Sequence, residues 1–168
     1  MIDKRPKYIN DRTRIGDMEG DFIVSCRDGS GMLLVCVDRK SRASFLEKIY
    51  PVSIANVERA IRRIQKRFPE MKTFTFDNDL LFIHHKRLEK KFNVIIYFCH
   101  AYSPWEKGFV ENRNKIIRRY IPKGSDLYSY TKRYIQKIEE KLHRQIMECL
   151  DYRTPEETLS LYRKKQKK

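Results

Sequence analysis

Long apolar runs are missing from this sequence. The longest in its first half covers residues 32–37, far short of the ~20 residues that a membrane-spanning helix needs. The opening Met1-Ile2-Asp3-Lys4-Arg5-Pro6 has no apolar stretch, so no secretory leader is expected there. No clear amphipathic basic helix or lipidation motif points to a membrane surface. Cysteine is sparse: four residues, at 26, 36, 99 and 149, none in a CxxC pair that would suggest zinc. Cys26 and Cys36 could face each other on adjacent strands, but reduced thiols in a cytosolic core are the expectation. His84, His85 and His100 are not spaced as a metal site and read as surface or loop residues. Internal repeats are absent.

Negative charge is also short. Lys and Arg total 37 against 22 Asp and Glu, an excess of +15 over 168 residues. A field of that sign and size attracts polyanions, with nucleic acid the expected partner. A ribosome-associated or merely soluble basic protein is the plainer alternative. The length suits one domain, and 40% hydrophobic residues suffice for a core.

The pattern along the chain predicts an α/β order. Residues 1–16 are polar and basic, an arm or linker stub; 17–160 form the core; 161–168 are a basic tail, frayed at its lysines. A strand is expected from Asp21, alternating through Phe22, Val24 and Cys26. The turn Asp28-Gly29-Ser30-Gly31 leads to a buried strand at 32–37, and Asp38-Arg39-Lys40-Ser41 to a third strand over 42–50. Ile54, Val57, Ile61, Ile64 and Phe68 recur at helical spacing after Ser53. A short strand at 73–76, a helix at 84–92 and a strand at 94–99 follow. Helices are then expected over 106–120 and 130–150, the latter with Tyr130, Tyr134, Ile138, Leu142, Ile146 and Leu150 on its apolar face. A last helix starts at Thr154-Pro155-Glu156-Glu157. This order predicts a ribonuclease H-like fold, a mixed five-stranded sheet with helices on both faces.

Three carboxylates have suggestive places. Asp21 lies in an otherwise apolar strand, Asp77 ends a central strand, and Glu111 sits one turn into a helix. A carboxylate on a sheet interior is costly unless it is paired or binds a cation. Converging, the three would offer hard oxygen ligands suited to magnesium. The bland readings are an ordinary Glu111–Lys115 surface pair and structural roles for the aspartates. Glu19, Asp38, Asp79 and Glu106 are rivals that spacing alone does not exclude.

Several segments resemble a known family. Arg14-Ile15-Gly16-Asp17-Met18-Glu19-Gly20-Asp21, then Asp38-Arg39-Lys40-Ser41-Arg42, then Phe76-Asp77-Asn78 are similar to conserved motifs of transposases of the insertion-sequence-thirty family. So are Tyr102-Ser103-Pro104-Trp105-Glu106-Lys107-Gly108, Glu111-Asn112-Arg113-Asn114, the block from Ile117 to Asp126, and Tyr152-Arg153-Thr154-Pro155-Glu156. The likeness covers roughly residues 5–160, and 33 residues separate Asp77 from Glu111, as in that family. It implies a catalytic triad of Asp21, Asp77 and Glu111 holding two divalent ions, Mg2+ or Mn2+, for cutting DNA strands and joining them to new DNA. Transposon ends and target DNA are the implied partners, with self-association on DNA, in the cytosol at the nucleoid. Lys107, Asn112, Asn114, Arg118, Arg119 and Lys123 are the candidates for phosphate contact; Tyr102 and Trp105 could stack a base or pack the loop. Asp79, Leu81, Phe109 and Val110 depart from the family pattern beside the triad. Full members carry an N-terminal helix-turn-helix region, so recognition of terminal repeats is not expected of this chain alone. A nuclease of the same fold, such as a ribonuclease H or a junction resolvase, and an inactive DNA-coating remnant are the alternatives.

Overall fold

The computed structural model describes residues 1–78, 82, 85–100 and 103–167, with the backbone alone at 104 and 105. Asp79, Leu81, His84, Tyr102 and the Trp105 side chain therefore lie outside the described residues.

A five-stranded sheet forms the centre. Strands β1 (Asp17–Val24), β2 (Met32–Asp38) and β3 (Ser44–Ile49) make an antiparallel meander; β4 (Thr73–Phe76) joins β1 in parallel, and β5 (Ile95–Phe98) joins β4 in parallel. The order across the sheet is β3-β2-β1-β4-β5. Because side chains alternate along a strand, the fully buried β2 serves two cores at once. Leu34 and Cys36 join a layer with Val57, Ile61 and Ile64 of helix α2 (Ile54–Arg67) and Leu88 of α3 (His85–Phe92). Leu33, Val35 and Val37 join a second layer with Val110 and Ile117 of α4 (Gly108–Ile117) and Ile135, Ile138 and Leu142 of α5 (Lys132–His143). Helices thus cover both faces, and this is why the 32–37 run has no polar alternation. Each such side chain contributes about 1.5–3 kcal/mol by leaving water. Ser53 starts α2 by accepting from the Asn56 amide. Residues 2–4 form a 3-10 turn and Lys7–Asn10 the short helix α1, with Ile2 and Ile9 buried.

Several boundaries differ from those read in the sequence. β1 begins at Asp17, four positions before the expected start, because its polar residues Asp17 and Glu19 are buried with partners rather than solvated. It ends at Val24, leaving Cys26 beyond it. The third strand starts at Ser44, since Arg42 holds a left-handed φ of 62° in the preceding turn. Residues 104–107 are a 3-10 turn, and α4 proper ends at Ile117. The helix expected over 130–150 is shorter: α5 ends at His143, and Met147 forms an antiparallel bridge with Arg153 around left-handed Asp151 and Tyr152. Its buried face is Ile135, Ile138, Glu139 and Leu142, while Tyr134 and Ile146 stay exposed. Helix α6 (Pro155–Gln166) starts as expected, with Thr154 and Glu157 forming a capping box. It runs through Lys164 and Lys165, so these lysines are helical rather than frayed. All four cysteines are free thiols.

Candidate active site

β1 and β4 run side by side in the same direction, so Asp21 near the end of one and Asp77 just past the other meet at one end of the sheet. Alternation along β1 turns Glu19, Asp21 and Ile23 toward the α4 side, and Ile23 packs with that helix's core. Gly20, between them, is required by close packing: a Cβ there would lie 2.0 Å from the Phe76 ring.

Helix α4 is fastened across this edge by Glu19. One carboxylate oxygen accepts from the backbone amides of Phe109 and Val110 at 3.0 and 3.1 Å; the other is ion-paired with buried Arg39. A negative charge at a helix N-terminus is the favourable polarity. Burial lowers the Arg39 pKa although Glu19 supports its charge. This anchor fixes the direction in which α4 presents its side chains. Lys107, at the N-cap of α4, reaches down with its Nζ 3.3 Å from Asp21 Oδ1 and 2.8 Å from Asp77 Oδ2, and only 4% of its side chain is exposed. Burial opposes the Lys107 charge, but Asp21 and Asp77 outweigh that and hold its pKa above the ordinary lysine value. From two turns further along, Asn114 Nδ2 donates to Asp21 Oδ2 at 2.7 Å. Asn114 Oδ1 is buried beside the same carboxylate with no hydrogen-bond partner among the described residues.

Of the implied triad, Asp21 and Asp77 come together on one ammonium. Glu111 lies at i+4 from Lys107 and i−3 from Asn114, on the helix face that turns to Asp21. The three carboxylates do not close into one cluster, and no group of three such ligands occurs among the described residues. Carboxylates crowded around one point repel unless a cation stands between them, and here Lys107 is that cation. The donor set nevertheless fits a hard divalent ion: two adjacent carboxylates, a third on the facing helix turn, and an unpartnered amide oxygen. Asp21 is 26% and Asp77 64% exposed at the side chain, so the pair is open to solvent on the Asp77 side.

The expected phosphate contacts divide. Lys107 and Asn114 face inward, onto the aspartates. Asn112, Arg119 and Lys123 are exposed, and Arg118, half-buried, donates to the Pro122 carbonyl at 3.2 Å. The rival carboxylates have other partners. Asp38 accepts from the Gly16 and Ser41 amides and the Ser41 hydroxyl, with burial pushing its pKa up. Glu106 takes the His100 amide and ring; burial opposes its charge, yet these bonds hold its pKa below the usual value. Hydrogen bonds that the His100 ring donates to Glu106 and then Asp3 raise that of His100. Three arginines had no role assigned from the sequence. Arg113 is buried and ties α4 to Gln145, Met147 and the Arg42 carbonyl. Arg42 and Arg12 both lie over the Phe109 ring, at 3.4 and 4.3 Å. The departures at Phe109 and Val110 thus have packing roles, Phe109 under two guanidiniums and Val110 in the core.

Solved structures place this architecture in a class. The catalytic core of bovine immunodeficiency virus integrase superposes with a TM-score of 0.67 at 16% identity, over 90% of this chain and 98% of that one. The HTLV-2 integrase catalytic core, solved in complex with magnesium in a trimeric form, does so at 0.65 and 16%, over 84% of this chain and 94% of its own. The fold is that of an integrase catalytic core, a ribonuclease H-like mixed sheet. Sequence relatives narrow it. The transposase for insertion sequence element IS4351 of Bacteroides fragilis is 34% identical over 159 residues, 93% of this chain and 48% of the relative. That for IS1086 of Cupriavidus metallidurans is 32% identical over 161 residues, 95% and 47%. Transposase InsI for IS30A of Escherichia coli is 28% identical over 160 residues, 94% and 41%. No family model matches. Over nearly all its length the chain is a homologue of the IS30-family transposases. It spans about half the length of the curated relatives it matches.

Proposed function

We propose that this chain is the catalytic domain of a transposase that cuts DNA strands and joins them to new DNA at a triad of Asp21, Asp77 and Glu111. The observation that carries the reading is that aspartates 56 positions apart in sequence meet on a single cation at the carboxyl end of two parallel strands, where open α/β sheets place their chemistry. The homology to transposases supports the reaction class.

Asp21 and Asp77 would hold two Mg2+ or Mn2+ ions between them, and Glu111 would complete one site from α4. Bound there, the ions would supply Lewis acidity and charge neutralisation for in-line displacement at phosphorus. The protein positions and orients. Glu19 keeps α4 against β1, Asn114 sets the rotation of the Asp21 carboxylate, and the exposed Asn112, Arg119 and Lys123, with Arg118, provide phosphate contacts near the helix. In the first step water forms a bond to phosphorus and the 3′ oxygen of the element end leaves with a proton. In the second that 3′-hydroxyl attacks a target phosphodiester, and the target's own 3′ oxygen leaves. Both steps have the same geometry and need one site. Residues 17–160 are taken as the catalytic core, with 1–16 and 161–168 as its flanks. The domain is proposed to self-associate on DNA and to work in the cytosol at the nucleoid.

The test is strand transfer. The chain is given a pre-cleaved DNA with a free 3′-hydroxyl and a supercoiled plasmid, with Mg2+ or Mn2+, alongside Asp77→Ala. Joined products that require the metal and vanish in the variant are expected. Nicking without joining would favour a nuclease of this fold. DNA binding without chemistry in both proteins would mean that the domain is inactive by itself.

A further inference from the structure

We infer that Lys107 is the chain's own occupant of the gap between Asp21 and Asp77, and that a divalent cation bridges these carboxylates only by displacing its ammonium. This rests on the proposed reading of the site as a metal centre.

The geometry leaves little room for both. Lys107 Nζ contacts one oxygen of each aspartate and lies 3.5 Å from the Gly20 carbonyl, which places the ammonium inside the site rather than at its rim. Both Asp21 oxygens are engaged, Oδ1 by Lys107 and Oδ2 by Asn114. A cation shared by Asp21 and Asp77 would take the oxygens that Nζ now holds, and two cations at that separation would repel strongly. The exchange also has a route. A lysine stem is a flexible chain of four carbons, and the pair is open to solvent on the side of Asp77, whose side chain is 64% exposed. Lys107 therefore keeps the two carboxylates paired and close before an ion arrives, and competes with it when it does. This accounts for a lysine buried at a position the sequence assigns to phosphate contact.

The competition predicts a gain on removing the charge. Mn2+ binding to the folded chain without DNA would be followed by electron paramagnetic resonance and calorimetry, for the native protein, Lys107→Met, Lys107→Gln, Lys107→Arg and Asp77→Asn. Both uncharged variants are expected to bind Mn2+ about tenfold more tightly or better, to melt at lower temperature without metal, and to gain more from Mn2+ on melting. Lys107→Arg should stay near the native affinity. Unchanged or weaker binding in whichever uncharged variant folds overturns the exchange. If the native chain binds Mn2+ and Asp77→Asn abolishes it while the lysine variants show no gain, this inference fails and the metal reading stands. No Mn2+ binding in any protein overturns both.

Discussion

At the residue scale, the site depends on small differences between chemically identical groups. Glu19 and Asp21 are two positions apart on one strand and face the same side, yet one holds a helix and the other pairs with Lys107. Glu19 is nearly inaccessible and serves Arg39 together with two backbone amides. Replacing it by Gln leaves a buried guanidinium without its counter-charge, which costs about 3–5 kcal/mol; urea denaturation is expected to show that loss, with DNA cleavage falling as α4 loosens. A stability change within error of zero would contradict the anchor. Gly20 makes a second test. The Phe76 ring occupies the space where a Cβ would stand, so Gly20→Ala forces a shift beside Asp21 and is expected to destabilise by about 1–3 kcal/mol.

At the scale of elements, α5 carries a pH dependence. His143, in its last turn, packs edge-on against Phe45 and accepts from the Ser44 amide at 3.1 Å through Nε2. Burial lowers its pKa below the ordinary 6.5, and a ring nitrogen that accepts the Ser44 amide has no lone pair free for a proton. A depressed value in the fold means that the unfolded chain takes up the proton first. The contribution of His143 to stability is therefore intact above about pH 6.5, and is lost as pH falls toward and through the lower folded value. Thermal melting from pH 8 down to pH 5 should show a decline that is smaller in His143→Gln, whose side chain has no proton to gain. An equal decline in both proteins would assign the effect elsewhere.

For the whole molecule, the excess of positive charge governs encounter rather than chemistry. DNA affinity is expected to fall linearly on a logarithmic plot against salt, with a slope set by the phosphates neutralised. Replacing Arg119 and Lys123 together by Ala should reduce that slope by about 2. Asp21→Asn should leave the slope nearly unchanged while abolishing strand transfer. Fluorescence anisotropy at several salt concentrations separates the two effects. A slope unaffected by the double variant would remove the segment after α4 from the DNA surface.

The sequence alone determined the strand and helix order, burial of β2 on both faces, the capped start of α6 and the family, because periodicity, cap chemistry and motif strings are local. Through those motifs it also proposed Asp21, Asp77 and Glu111 among the carboxylates. It did not foresee that α5 stops at His143, since Ile146 continues the helical spacing while the Met147–Arg153 bridge that turns the chain is a contact across a loop. Nor could spacing alone sort Glu19, Asp38 and Glu106 from the site, for without a motif one carboxylate reads like another until its partners are in place. Lys107 is the clearest case. Its string suggests an outward cation ready for phosphate, and only the approach of β1, β4 and α4 puts two carboxylates under it. A charge takes its role from what surrounds it, and that is decided by contacts between residues far apart in the chain.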